Sequence, residues 1–282
     1  MTHTGTTHPL DPAADLWSPE IYGREAVQQL ANSWWSLPVN KYNCWSCCVG
    51  GGENIVDDAA CTSPTGRACR RGLLPMIDTQ DMGTPGFSTA GHWDWAGPRK
   101  GWNHIDQLAA CVGKSWYGPG LTPNEQWSQF ALWSVLASPL LVSVDVRGGM
   151  TRECTALLTN ARAIAVHQDK AGVPGRRLKN VGADGTALPL AHTNVSAGGA
   201  AVAAQVWGRP LSGDGVAVVM LNRGEAPTDI SATFAELGLP TTVKSVASTD
   251  VLTGVVTKGL ANPVTAYGVP PHGVAFITLA IE

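Results

Sequence analysis

Two apolar patterns divide this chain. From Thr122 to Val146 a helical stretch runs into a continuous apolar stretch. Thr122-Pro123-Asn124-Glu125 is a helix start: Thr122 caps, Pro123 suits the first helical position, and Glu125 closes a capping box. The helix is expected to run to about Ala137 and to stop before Ser138-Pro139. Leu140-Leu-Val-Ser-Val-Asp-Val146 then reads as a mostly buried strand, and Thr151 to Asn160 as another short helix. Helix, buried apolar strand, helix is the rhythm of parallel α/β architecture. After residue 200 the pattern changes to short Val- and Ala-rich runs separated by Gly, Pro, Asp and Asn. Strands are expected at Ala201–Val206, Gly215–Leu221, Lys244–Ser248, Val264–Tyr267 and Val274–Ile281, forming a small antiparallel sandwich.

Composition sharpens that division. Ten of the 11 Trp residues lie at or before Trp133, and Trp207 alone follows. The boundary is placed at Lys170–Pro174, giving a mixed α/β part over residues 1–172 and an all-β part over 173–282. Charged residues are 15% of the chain and the net charge is −3, which leaves no electrostatic footprint for nucleic acid or an anionic membrane. No window approaches the roughly 18 apolar residues of a membrane-crossing helix. Met1 to Leu10 is polar and lacks the apolar core of a secretory signal. Five of the seven Cys residues (Cys44, Cys47, Cys48, Cys61 and Cys69) crowd one stretch, while Cys111 and Cys154 stand apart. A disulfide-stapled loop fits this usage better than a zinc site, because Cys61 and Cys69 are too widely spaced for a zinc knuckle. Neither a metal nor a cofactor is expected.

The chemistry-bearing run is Ala96-Gly-Pro-Arg-Lys-Gly-Trp102-Asn-His104-Ile-Asp106, followed by Trp127-Ser-Gln-Phe-Ala-Leu-Trp133-Ser-Val-Leu-Ala-Ser138-Pro-Leu. With Ala163-Ile-Ala-Val-His-Gln-Asp169, Gln205-Val-Trp-Gly-Arg-Pro-Leu-Ser-Gly213 and Val218-Val-Met-Leu-Asn-Arg223, it resembles the second half of the α-galactosidase and α-N-acetylgalactosaminidase family of retaining glycoside hydrolases. The resemblance implies a (β/α)₈ barrel followed by a β-sandwich. The chain corresponds to the barrel from about its sixth strand onward, with a Cys-rich insertion over about residues 44–90. Trp93–Pro98 and Gly101-Trp-Asn103 resemble the seventh strand and its loop, and Gln126–Arg147 the following helix and eighth strand.

Retaining chemistry needs two carboxylates about 5–5.5 Å apart, one as nucleophile and one as acid/base. The family's Lys-x-Asp-x-Cys nucleophile motif is absent, and the residues before Ala31 are too few for five strand–helix units of roughly 30 residues each. Aligned on Ala31-Asn-Ser-Trp34, the family's strand-six pattern puts Trp35 on its Arg and Val39 on its acid/base Asp. No Asp or Glu lies between Glu25 and Glu53. No catalytic residue is therefore assigned.

Part of a sugar pocket is expected to survive. Asp106 falls on a family Asp that hydrogen-bonds galactose hydroxyls, a charge-assisted mode of recognition. Trp102 and Trp35 offer aromatic faces, and Gln107 lies where the family often has Met. His104 replaces another Asp, His167 stands where the family usually has Asn, and Asp94 reads as a strand-end hydrogen bonder. Asp78 and Asp81 form the one candidate replacement carboxylate pair. The Arg67–Arg71 cluster reads as a solvated loop face. The implied ligand is an α-galactoside, and a complementing N-terminal barrel segment or a second copy is a further expected partner. The family and the Cys content imply an extracellular, lysosomal or vacuolar location, to which the sequon Asn194-Val-Ser196 adds weight.

Overall fold

In the computed structural model, residues 33–35, 45, 47–49, 55–57, 72–78, 102–114, 119–148, 150–190 and 202–282 are described. The first part carries three short parallel segments. β1 (Ser33–Trp35) pairs in parallel with β4 (Trp102–His104), Trp35 opposite His104, and a parallel bridge joins Leu108 to Val142. Parallel neighbours in this order are consistent with successive strands of a barrel that is not closed among the described residues. β2 (Cys47–Val49) and β3 (Ile55–Asp57) form a separate hairpin, and α1 spans Leu73–Asp78.

The principal helix, α2, spans Pro123–Leu136 and forms as its sequence demands. Thr122 accepts from the Glu125 N–H, Glu125 reaches back to the Thr122 N–H at 2.7 Å, and Pro123 sits in the first turn. Ala137, in the left-handed conformation at φ 54°, ends it. The helix is buried on almost every side from Ser128 onward, which fits a helix held between two layers. α3 (Arg152–Leu158) and α4 (Ala161–His167) follow, capped by Thr151 and Asn160.

The second part is an antiparallel sheet in the order β11-β10-β13-β8-β7-β5-β6, faced by the pair β12-β9. Its strands are β5 (Arg176–Gly182), β6 (Ala187–Leu188), β7 (Val202–Pro210), β8 (Val216–Asn222), β9 (Thr228–Ala232), β10 (Val246–Asp250), β11 (Val256–Leu260), β12 (Val264–Val269) and β13 (Val274–Ile281). The five expected strands are present with shifted ends. β5, β6, β9 and β11 are additional: they are polar or short, and pairing rather than an apolar run defines them.

β8 explains how the two parts join. Val216, Val218 and Met220 enter a core with Ile230, Ala232, Val264 and Val269 of the facing sheet. Ala217, Val219 and Leu221 enter a second core with Phe130 and Trp133 of α2 and with Phe276. The strand is therefore buried on both faces, and its run is continuously apolar rather than alternating. Polar bolts reinforce this seam. Arg209 is fully buried and donates to the carbonyls of Val173, Ser134, Val166 and His167, at the ends of α2 and α4. Burial brings its guanidinium down to about 10, so it stays charged at neutral pH. The His272 ring bonds Glu125 through Nδ1 at 2.7 Å and Glu225 through Nε2 at 2.9 Å, and stacks on Trp45.

One expectation is corrected. Leu140–Val146 is not a buried strand: it makes one bridge, Leu141 is 49% exposed and Val142 45%, and Val146–Gly148 forms a 3₁₀ turn. No neighbouring strand covers it among the described residues. The expected disulfide bonding is present between Cys111 and Cys154.

Candidate functional site

The site lies where β4 ends. Beyond His104 the chain runs through Ile105, Asp106 and Gln107 to the bridge at Leu108, and each step is held by another element. The Ile105 N–H donates to Ser138 Oγ at 2.9 Å, just past the end of α2. The Asp106 carbonyl accepts from Trp133 Nε1 at 2.9 Å, and the Leu108 N–H donates to the Leu141 carbonyl at 2.7 Å. Asp106 itself sits at φ 88°, in the left-handed region that non-glycine residues rarely occupy. Such a conformation persists where surrounding contacts over-determine it. Here the helix Trp and the Ser after it supply those contacts.

Asp106 is buried, and its Oδ1 accepts from the Gln107 N–H at 2.7 Å. Gln107 is exposed, and its side-chain oxygen accepts from Ser143 Oγ at 2.8 Å. Trp102 is half-buried, while Asn103 and His104 are buried beside it. The parallel register brings the backbone of Trp35 alongside His104, two residues before Asp106. The strand ends thus place Trp35, Trp102, Asp106 and Gln107 along one short stretch of two neighbouring strands. Val39, Asp81, Asp94, Cys44, Cys61, Cys69, the Arg67–Arg71 cluster and Asn194 lie outside the described residues.

Asp78 is no catalytic substitute. It is 1% exposed and receives a bidentate pair from Arg223, 2.8 Å on the Oδ2 side, with Gln205 at 3.2 Å and Arg177 at 3.5 Å on Oδ1. A carboxylate enclosed by two guanidinium groups serves as an anchor of α1 on the sandwich. Trp45 also packs on the sandwich, and its carbonyl accepts from the Leu74 N–H at 2.9 Å.

Sequence reasoning missed the supports. Ser138 was legible as a helix stop, yet its hydroxyl holds the Ile105 N–H and its carbonyl meets His167 Nε2 at 2.9 Å. Burial pushes the His167 imidazole below its ordinary value of 6.5, Arg209 adds to this, and the Ser138 contact opposes it. A cleft of about 400 Å³ opens beside the Cys111–Cys154 disulfide, between Trp127, Val144, Asp145 and Glu153. No group of three metal-ligating side chains occurs among the described residues.

Comparison with known proteins completes the assignment. Residues 90–169 match the family model described as α-galactosidase A, and residues 202–279 match that of the α-galactosidase C-terminal β-sandwich domain. Arabidopsis thaliana α-galactosidase 3 is 36% identical over 149 residues, covering 53% of this chain and 28% of that protein. Human α-galactosidase A is 35% identical over 147 residues, covering 51% and 28%. These matches span little more than a quarter of the relatives' length. Among solved structures, α-galactosidase I from Mortierella vinacea superposes with a TM-score of 0.64 at 20% identity, covering 94% of this chain and 56% of that one. A β-L-arabinopyranosidase from Geobacillus stearothermophilus gives 0.61 at 15%, covering 92% and 47%. At these identities the superpositions speak for the fold. The two family matches fall in order on the barrel portion and the sandwich, and the chain belongs to the α-galactosidase family.

Proposed function

We propose that this chain is the sugar-recognising C-terminal part of an α-galactosidase-like retaining glycoside hydrolase, with barrel residues 1–172 and sandwich residues 173–282, and that it does not hydrolyse α-galactosides by itself. The observation that carries this reading is Asp106. A buried carboxylate held in a left-handed conformation at the end of a parallel strand is a preorganised acceptor for sugar hydroxyls. Strand ends are where barrel enzymes of this architecture keep their sites. In this reading Trp102 and Trp35 flank the sugar with aromatic faces, and Gln107 contributes its amide at the rim. Hydrolysis by double displacement would still need a nucleophile and an acid/base. The Lys-x-Asp-x-Cys motif is missing, and residues 26–52 hold no carboxylate.

A second reading, a non-catalytic galactoside-binding or partner-binding protein, is favoured by that same window, since Val39 stands where the acid/base is expected. Turnover of an aryl α-galactoside separates these readings from an autonomous enzyme. Both predict no rate above the uncatalysed one for residues 1–282, whereas turnover that tracks protein concentration and vanishes with Asp106→Asn would refute both. The Cys111–Cys154 bond supports an oxidising location, extracellular or lysosomal/vacuolar. No described helix is long and apolar enough to cross a membrane.

A further inference from the structure

The end of α2 holds Asp106, and the sandwich holds the end of α2. The left-handed backbone of Asp106 is gripped on both sides. Trp133 Nε1 donates to the Asp106 carbonyl at 2.9 Å, and Ser138 Oγ accepts the N–H of the preceding Ile105 at 2.9 Å. Trp133 lies in the last turn of α2, Ser138 two residues past its end, and both are fully buried. The last carbonyls of a helix have no partner within the helix, and a cation suits that end of its dipole. Arg209 of β7 answers both needs. Its Nη1 reaches the Ser134 carbonyl of α2 at 3.1 Å and the Val166 and His167 carbonyls of α4 at 2.7 and 2.9 Å. One planar guanidinium thus fixes the ends of α2 and α4 relative to each other. His167, half-buried, closes the chain of contacts, because its Nε2 meets the Ser138 carbonyl at 2.9 Å. A carbonyl only accepts, so this nitrogen carries the proton. Ser138 is therefore held by His167 through its carbonyl and holds Ile105 through its hydroxyl.

We propose that Ser138 and His167 are positioning residues for the Asp106 carboxylate, and that Arg209 makes their placement, and so the aim of that carboxylate, depend on the sandwich. This rests on the reading that Asp106 accepts sugar hydroxyls. Hydrogen bonds weaken steeply as their angles depart from linearity, so an acceptor for sugar hydroxyls must be held in direction as well as in place. A non-glycine backbone released from φ 88° relaxes to the commoner regions and turns its side chain with it. The sandwich acts on recognition without touching the sugar.

The test titrates galactose calorimetrically into residues 1–282 and into three variants, well below the Tm of each, and follows hydrogen exchange of the Ile105 amide in parallel. His167→Phe keeps a ring and removes the donor to Ser138. Ser138→Ala removes the acceptor for Ile105. Arg209→Lys keeps the charge and loses the planar fork. Each should weaken galactose by about three- to tenfold, the range of one hydrogen bond's net contribution, and speed exchange at Ile105 by at least about fivefold. Ser138→Thr, which keeps the hydroxyl, should bring both back toward the unsubstituted chain. Variants that lower the Tm yet leave the galactose Kd and the Ile105 exchange unchanged would overturn the proposal, since a purely structural role predicts that pattern. If Arg209→Lys or Ser138→Ala does not fold, the half-buried His167→Phe decides. If the unsubstituted chain takes up no galactose, the sugar reading of Asp106 fails and the positioning is judged at Ile105: faster exchange in His167→Phe sustains it, and unchanged exchange refutes it.

Discussion

Among the described residues the sandwich covers itself, while the barrel portion leaves Leu141 to Ser143 exposed. In the sandwich, β8 is buried on both faces and the sheet edges are short or capped. In the barrel portion, α2 is as deeply buried as any core element, yet the segment five residues beyond it is exposed from Leu141 to Ser143. The difference shows that apolar composition alone does not bury a segment. Burial needs a neighbour, and α2 has one in the β7–β8–β13 surface, whereas among the described residues Val142 has a single bridge.

That contrast sets the expected sizes of mutational effects. Asp78→Ala should be the most damaging, because it takes the carboxylate away from the buried Arg223 guanidinium: about 3–5 kcal/mol of stability lost in denaturant unfolding. A loss under about 1 kcal/mol would mean that water reaches this pair. Phe276→Ala, in the core shared by the two parts, should cost about 3–5 kcal/mol as well, while Leu141→Ala at the open edge should stay within roughly 0.5 kcal/mol. Equal costs at Phe276 and Leu141 would erase the distinction between the regions. Thr122→Ala should remove about 1 kcal/mol with the capping box of α2.

The smallest effect concerns pH. His167 has its folded value depressed by burial, so the unfolded chain takes up a proton that the folded chain resists. Its contribution is fully present above about 6.5 and is lost as pH falls from there toward the folded value. His167→Gln should flatten that part of the stability–pH curve. An unchanged slope would show that the imidazole titrates normally.

The sequence read well where local rules decide. The capping box at Thr122–Glu125 and the strands at Val216–Asn222 and Val274–Ile281 follow from residue types within a few positions. It read poorly where a distant partner decides. Leu140–Val146 has the composition of a buried strand, and nothing local reveals that Leu141 and Val142 are exposed. Asp78 sat beside Asp81 as a plausible catalytic pair, and only Arg223, 145 residues away, shows it to be an anchor. Asp106 was visible through its motif, but its left-handed backbone depends on Trp133 and Ser138, contributed by the end of the next helix.

Calorimetric titration of galactose into the chain and into Asp106→Asn tests the central claim most directly. The account predicts a saturable heat for the unsubstituted chain that weakens by about 1.5–3 kcal/mol when the charge-assisted acceptor is removed. No saturable heat in the unsubstituted chain, or the same isotherm for both proteins, would contradict it.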